Sequence, residues 1–405
     1  MTLVLQSPDG SLLGALDPFT VETPWWSEVE GVVDGARRAH GVDVTVLRLV
    51  TVVPDPDDPW NMGGAATYAV QLHGRVGPDL RSDLREVDET TAAAVLDDDP
   101  LRLPWARPGG PAAELAWAAD AVAAGGDEIV GRPQQIRSWN LSSIWSIPTN
   151  AGTVWLKSVP PFFAHEGAVI EWLASPELPP LIAATSGRML MAEIPGVDHY
   201  SAVPATLERA VVMLVAIQHR VAGRVEELFS LGLPDWRWPE LRALVDDVVE
   251  RHRDELDQPE RHALDEVLDG FGRRCDAIDA CGLPMTLVHG DFHRGNLRGL
   301  GERLVILDWG DCGVGHPLLD VAAMMEPLDA RSRDRLAETW VRAWRERYPG
   351  SDPLRAATLI EPIAALRQAV IYRTFLDAIE PSERCYHQSD PQRWLRRAAR
   401  FNGGG

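Results

Sequence analysis

Apolar and polar positions change their rhythm along the chain. Up to about residue 200 they favour short, strand-like runs, and from about Ala202 onward they follow helical spacing. The pattern predicts a helix around Trp26–His40 and strands at Val42–Val53 and Ala65–His73. An acidic stretch (Asp83–Pro100), a proline-rich one (Leu103–Pro111) and an Ala/Gly linker (Ala121–Gly126) follow. Three further strands are predicted at Gln134–Trp139, Ser142–Ile147 and Thr153–Lys157, the last two joined by a Thr149-Asn-Ala-Gly152 turn. An amphipathic helix, Phe163–Ala174, then precedes short strands at Leu181–Ala184 and Met189–Glu193. The helical remainder is interrupted by the loop His289–Asn296 with the strand Leu304–Leu307, and by the loop Gly310–Pro317. A β-rich small lobe thus precedes an α-rich large lobe, behind an N-terminal module. No internal repeat is evident.

Composition narrows the classes. The 405 residues suffice for two or three domains with their own cores. The formal charge of −21 repels phosphate backbones and argues against nucleic-acid binding. The first 100 residues hold 18 Asp/Glu against 6 Arg, more than half of that deficit, and read as a solvated face. No apolar run reaches the ~18 residues of a membrane span, and the N-terminus lacks the basic and apolar regions of a signal peptide. Four cysteines without CxxC spacing read as reduced packing thiols, so a cytoplasmic location is expected.

One count bears on chemistry. Of 39 basic residues only Lys157 is a lysine; the rest are arginine. A coding bias that removes lysine wherever a generic cation suffices leaves it where a compact ammonium is required. Lys157 ends the apolar run Gly152-Thr-Val-Trp-Leu-Lys157, which favours a site over chance survival at the surface.

The second cluster is His289-Gly-Asp-Phe-His-Arg-Gly-Asn296, followed by Val305-Ile-Leu-Asp-Trp-Gly310. Phosphoryl transfer from ATP needs a carboxylate to orient the acceptor hydroxyl, hard oxygen ligands for Mg²⁺, and a cation for the non-transferred phosphates. Asp291 suits the first task, Asn296 and Asp308 the second, and Lys157 the third. Glu166, on the following helix, is the first candidate to fix the ammonium.

These segments resemble the aminoglycoside phosphotransferase family, a branch of the protein-kinase-like fold, over roughly residues 130–400. The resemblance implies an α+β, bilobal protein-kinase-like fold preceded by an additional N-terminal α/β domain. Its parts are an accessory domain (1–125), a small lobe and hinge (126–196) and a helical large lobe (197–405). It implies that Glu166, rather than Glu171, pairs with Lys157. Arg188-Met-Leu-Met-Ala-Glu-Ile-Pro-Gly196 resembles the strand and hinge that hold adenine by backbone groups, which assigns Glu193 and Ile194 to that contact. Ile217-Gln-His219 resembles the end of a helix beneath the catalytic loop. Gly315-His-Pro-Leu-Leu-Asp-Val-Ala322 resembles the segment whose aspartate, Asp320, braces that loop.

Two departures shape the expectation. No GxGxxG covers the phosphates; the corresponding turn is Ser138-Trp-Asn-Leu-Ser-Ser143, where backbone N–H groups and the hydroxyls of Ser142 and Ser143 are the candidates. Only 11 residues separate Asp308 from Asp320, too few for a long activation segment with a peptide platform. The expectation is therefore an enzyme that uses ATP and Mg²⁺ to phosphorylate a hydroxyl of a sugar, amino sugar or antibiotic. The acidity fits an amine-bearing acceptor, and no nucleic-acid or membrane partner is expected. The rivals are a nucleotide-binding module without catalysis and a protein kinase.

Other residues receive plainer readings. His289 and His293 lack a third ligand at metal spacing and read as loop-structuring groups. Asp311 and Arg294 read equally as site residues or as loop charges. Trp309 reads as packing that positions Asp308. Trp236 and Trp238 read as core rather than a sugar-stacking wall. Asp377, Glu380 and Glu383 are expected at the surface.

Overall fold

The computed structural model of the chain describes residues 1–23, 25–55, 63–74, 77–325 and 328–403. Two compact units emerge. The first gathers Met1–Ala164, Leu181–Glu193 and Ala378–Tyr386; the second gathers His165–Pro180, Ile194–Asp377 and His387–Gly405.

The first unit contains two sheets. Strands β1 (Thr2–Gln6), β2 (Leu12–Ala15), β3 (Val44–Pro54) and β4 (Gly64–Leu72) form one in the order β2-β1-β4-β3, with β1 parallel to β4. The helix Glu30–His40 covers it. Val32 and Ala36 pack with Leu3, Leu5, Val46 and Val70, and the helix stops at Gly41, whose φ of 65° a side chain would resist. The first two strands carried no sequence signal beyond a few apolar residues near Met1.

The second sheet is antiparallel throughout. It comprises β5 (Gln134–Trp139), β6 (Ser142–Thr149), β7 (Gly152–Ser158), β8 (Leu181–Thr185) and β9 (Arg188–Ala192), in the order β5-β6-β7-β9-β8. Lys157 lies on the central strand, opposite Ile144 on one side and Met189 on the other. Trp145, Ile147, Val154, Leu156 and Leu190 are buried against Ala118 and Val122 of the helix Gly110–Ala124. That helix corrects the reading of Ala121–Gly126 as a linker. Its alanines have high helix propensity and Pro111 sits in its first turn, but its buried face is too alanine-rich to show an amphipathic stripe.

The expectation of surface acids near the C-terminal helix fails at two of three positions. Asp377 is exposed and paired with Arg251 at 2.9 Å. Glu380 and Glu383 are buried in the 378–386 segment of the first unit. Arg102 donates to Glu380 Oε2 through Nε and Nη2 at 3.1 and 3.0 Å. Glu383 accepts the N–H groups of Leu49 and Asn140, both at 3.1 Å. Buried carboxylates need such donors.

The second unit is mostly helical, and its long helices include Pro204–Val221, Trp238–His252, Ala330–Arg347 and Pro353–Ala378. Its strands are short: β10 (Val197–Asp198), β11 (Thr286–Val288), β12 (Leu297–Leu300), β13 (Arg303–Ile306) and β14 (Gly313–Gly315). They form a β10-β12-β13 sheet and a β11-β14 ladder. No helix among the described residues is long and apolar enough to cross a membrane.

Candidate active site

The short strands exist to present two loops. The chain leaves β11 at Val288, makes the loop His289–Asn296, and enters the β10-β12-β13 sheet as β12. It returns along β13 and reaches Asp308 two residues after the strand ends, then pairs back onto β11 through β14. Antiparallel pairing of β12 with β13, from Leu297 opposite Ile306, brings the end of one loop beside the start of the other. The Leu307 N–H donates to the Asn296 carbonyl at 2.8 Å, which locks that junction.

Asp291 is held from several sides. Its Oδ2 accepts from Asn296 Nδ2 at 3.1 Å and lies 3.2 Å from His293 Nε2. Asn296 Nδ2 also reaches the Asp291 carbonyl at 2.9 Å. The Gly295 N–H donates to His293 Nδ1 at 2.9 Å, so the neutral ring carries its proton on Nε2 and donates to the carboxylate. Burial pushes the Asp291 carboxyl up, and the neighbouring His293 more than reverses it, for a net fall below the ordinary carboxylate range. His293 itself is lowered by burial and raised further by Asp291, for a net rise. The Asp291 side chain is still 38% exposed, so its carboxylate can meet a ligand.

Beneath the loop, Asp320 accepts the N–H groups of His289 and Gly290 at 2.9 and 2.7 Å, and Gln218 Nε2 at 2.9 Å. Burial raises its carboxyl to about 6. His289 is fully buried and its pKa is lowered to about 4, chiefly by that burial. Its neutral ring donates from Nε2 to the Leu307 carbonyl and receives the Asp291 N–H on Nδ1.

Asp308 has a φ of 60°, a left-handed conformation that aspartate tolerates better than most side chains. The next residue anchors it. Trp309 is fully buried, its Nε1 donates to the Ile306 carbonyl at 2.9 Å, and its ring centroid lies 4.6 Å from that of His289. The Trp309 N–H donates to Glu166 Oε1 at 3.1 Å. Glu166 opens the helix Glu166–Leu173 and is buried, as is His165 just before it, whose ring meets the Gly310 and Cys312 backbones. This helix start thus belongs to the Asp308 loop.

The other candidates divide between the units. Ile194, in the second, is buried and its carbonyl accepts from Arg298 Nε at 2.8 Å. Lys157, Ser142, Ser143 and Glu193 lie in the first. Lys157 is 9% exposed. Ser142 Oγ accepts from Trp139 Nε1 at 3.0 Å. Ser143 Oγ donates to Glu114 Oε2 and accepts from Trp145 Nε1, both at 3.1 Å. The Glu193 N–H bonds to the Thr153 carbonyl at 3.2 Å, and its carboxylate accepts from Trp155 Nε1. Trp236 is core, as read, and Trp238 stacks on His316.

The donor set suits magnesium. With its amide nitrogen engaged by Asp291, Asn296 has its side-chain oxygen as a hard acceptor, and the Asp308 carboxylate on the neighbouring loop is a second. Mg²⁺ characteristically takes one or two protein oxygens and completes its shell with phosphates and water. No group of three or more His, Cys, Asp or Glu side chains among the described residues is placed to hold a metal.

Arg367 escaped the sequence reading. It lies within the helix Pro353–Ala378, is fully buried, and reaches the backbone of both loops. The available signal was an Arg367-Gln368 pair interrupting the apolar run Ile363–Val370.

A model of the phosphotransferase enzyme family matches residues 149–357. A search of the curated proteins gives no match. Among solved structures, a choline/ethanolamine kinase family protein from Mesorhizobium loti is 18% identical, with a TM-score of 0.50 over 73% of this chain and 99% of its own. A macrolide 2'-phosphotransferase from Brachybacterium faecium is 19% identical, with a TM-score of 0.47 over 68% of this chain and 97% of its own. An aminoglycoside 2'-phosphotransferase-IIIa in its GDP complex is 14% identical, with a TM-score of 0.48 over 71% and 98%.

Proposed function

The chain belongs to the phosphotransferase enzyme family, and from that premise we propose that it transfers the γ-phosphoryl group of ATP to a hydroxyl of a small molecule. The observation that carries this reading is the Asp291 carboxylate, held at Oδ2 by both Asn296 and His293 and still open to a ligand. Two donors on one oxygen leave Oδ1 to receive the acceptor hydroxyl.

In this reading Asp291 orients the hydroxyl so that its oxygen attacks the γ-phosphorus while the bond to the β–γ bridging oxygen breaks and ADP departs. A carboxylate held below its ordinary pKa is a weak base. It takes the proton late, once the hydroxyl has become acidic through bonding to phosphorus, as a loose transition state requires. Asn296 and Asp308 would hold Mg²⁺, which when bound would supply charge neutralisation along the triphosphate. Lys157, fixed by Glu166, meets the non-transferred phosphates. The turn bearing Ser142 and Ser143 covers them, and the hinge at Glu193 and Ile194 receives adenine through backbone groups. The additional domain of residues 1–125 is an accessory to this machinery.

The acceptor class we favour is a sugar, amino sugar or antibiotic, with an amine favoured by the net charge of −21. The path from Asp308 to Asp320 is filled by β14 and the short turn Pro317–Asp320, which leaves no segment to bind a peptide as a protein kinase would. The deciding experiment is coupled ADP release from Mg·ATP across a panel of sugars, amino sugars, aminoglycosides and macrolides. Acceptor-dependent turnover supports the reading. Nucleotide binding without turnover on any acceptor supports the non-catalytic alternative.

A further inference from the structure

Arg367 stands where the two loops of the site meet. Its Nη1 donates to the Gly290 carbonyl at 2.7 Å and its Nη2 to the Asp311 carbonyl at 3.2 Å. Gln368 adds a bond from Nε2 to the Gly290 carbonyl at 3.1 Å. The guanidinium lies 3.7 Å from the centre of the Trp236 ring, and the Trp236 backbone N–H donates to the Val314 carbonyl on β14 at 2.7 Å. Gly290 has a φ of +94°, and a Cβ there would fall 1.9 Å from the Asp311 carbonyl oxygen. The loops therefore touch backbone to backbone at this point, and one side chain closes the contact.

A purely structural role explains this poorly. Burying a guanidinium carries a large desolvation cost, and an apolar side chain of similar volume commonly serves packing as well or better. What an apolar residue lacks is a rigid fork that can bind two carbonyls at once. One carbonyl precedes Asp291 and the other lies three residues beyond Asp308. Their spacing sets the distance from the proposed base to the proposed metal ligand.

We infer that Arg367 is a positioning residue that fixes the Asp291 loop against the Asp308 loop, and so aligns the acceptor hydroxyl with the metal-bound phosphate. The inference rests on the phosphotransferase reading above. It assigns the long C-terminal helix a part in the chemistry that none of its residues reaches directly.

The test compares wild type with Arg367→Met and Arg367→Lys in the full chain. A misplaced base loses rate rather than nucleotide, so kcat in Arg367→Met falls by about 10²-fold while KM for ATP stays within about threefold. Arg367→Lys keeps the charge but reaches one carbonyl, recovers part of that loss, and serves as the folded control. Hydrogen exchange provides a readout independent of turnover. It rises in segments 286–296 and 308–316 in both variants, with the helix Pro204–Val221 unchanged. Wild-type kcat in Arg367→Met, or wild-type exchange in both segments, overturns the inference. A wild-type chain that turns over no acceptor defeats the phosphotransferase reading instead, and the exchange experiment still decides the brace.

Discussion

His289 Nε2 donates to the Leu307 carbonyl across 2.9 Å, joining the first residue of one loop to the residue before Asp308. The other ring nitrogen receives the Asp291 N–H at 3.3 Å. The ring is a bridge of fixed length between the candidate base and the candidate metal ligand. His289→Ala removes the partner of a partly buried carbonyl and leaves a cavity, so a stability loss of about 2–4 kcal/mol is expected from denaturant unfolding. Activity should fall further than stability explains. A variant with wild-type stability and turnover would show the bridge to be dispensable.

Asp291→Asn preserves volume and removes the anion that accepts the hydroxyl. We expect kcat to drop by at least about 10²-fold, the typical worth of a general base. Affinity for Mg·ADP, followed by fluorescence or calorimetry, should change little because the nucleotide's phosphates are assigned to other residues. Turnover near the wild-type rate would remove Asp291 from the mechanism.

The candidate residues were legible in the sequence because they are local: Asp291, Asn296 and Asp308 fall within 18 residues. Of the strands that present them only β13 was predicted, since β11, β12 and β14 are three or four residues long and leave no periodic run to read. Asp320 and Gln218 were readable as neighbours of that loop, and both bond as a brace should. The misses have a common cause. Arg367, Glu380 and Glu383 gain their meaning from partners far away in the chain, at Gly290, Arg102 and Leu49. A charged side chain with no local pattern reads as surface until the partner is known. The helix Gly110–Ala124 was hidden for another reason, since alanine buries and exposes equally well and leaves no stripe.

Lys157 invites a substitution that conserves charge. It is almost buried on the central strand of its sheet, where the larger planar guanidinium has little room. Lys157→Arg should cut kcat/KM for ATP by about tenfold or more, while unfolding shows a smaller change. Lys157→Met should lose at least as much. Unchanged kinetics in the arginine variant would undo the inference drawn from the single lysine.

Glu114 gives stability a pH dependence of known sign. It is buried on the helix Gly110–Ala124 and accepts from Ser143 Oγ at 3.1 Å. Burial raises its carboxyl from 4.5 to about 7, although Ser158, Ser143, Arg188 and Trp145 each pull the other way. The folded chain therefore holds this proton more tightly than the unfolded chain. Its contribution is most favourable below about pH 4.5, declines as the pH rises to about 7, and levels off above. The span is on the order of 3 kcal/mol. Glu114→Gln keeps an acceptor for Ser143 and removes the titration. The difference in unfolding free energy between variant and wild type should grow in the variant's favour from pH 4.5 to 7.5. Glu383, raised to about 8 mainly by burial and next by Glu380, adds a slope of the same sign that remains in both proteins and cancels in the comparison. Parallel curves for the two chains would mean that Glu114 is already ionised, or already protonated, throughout that range.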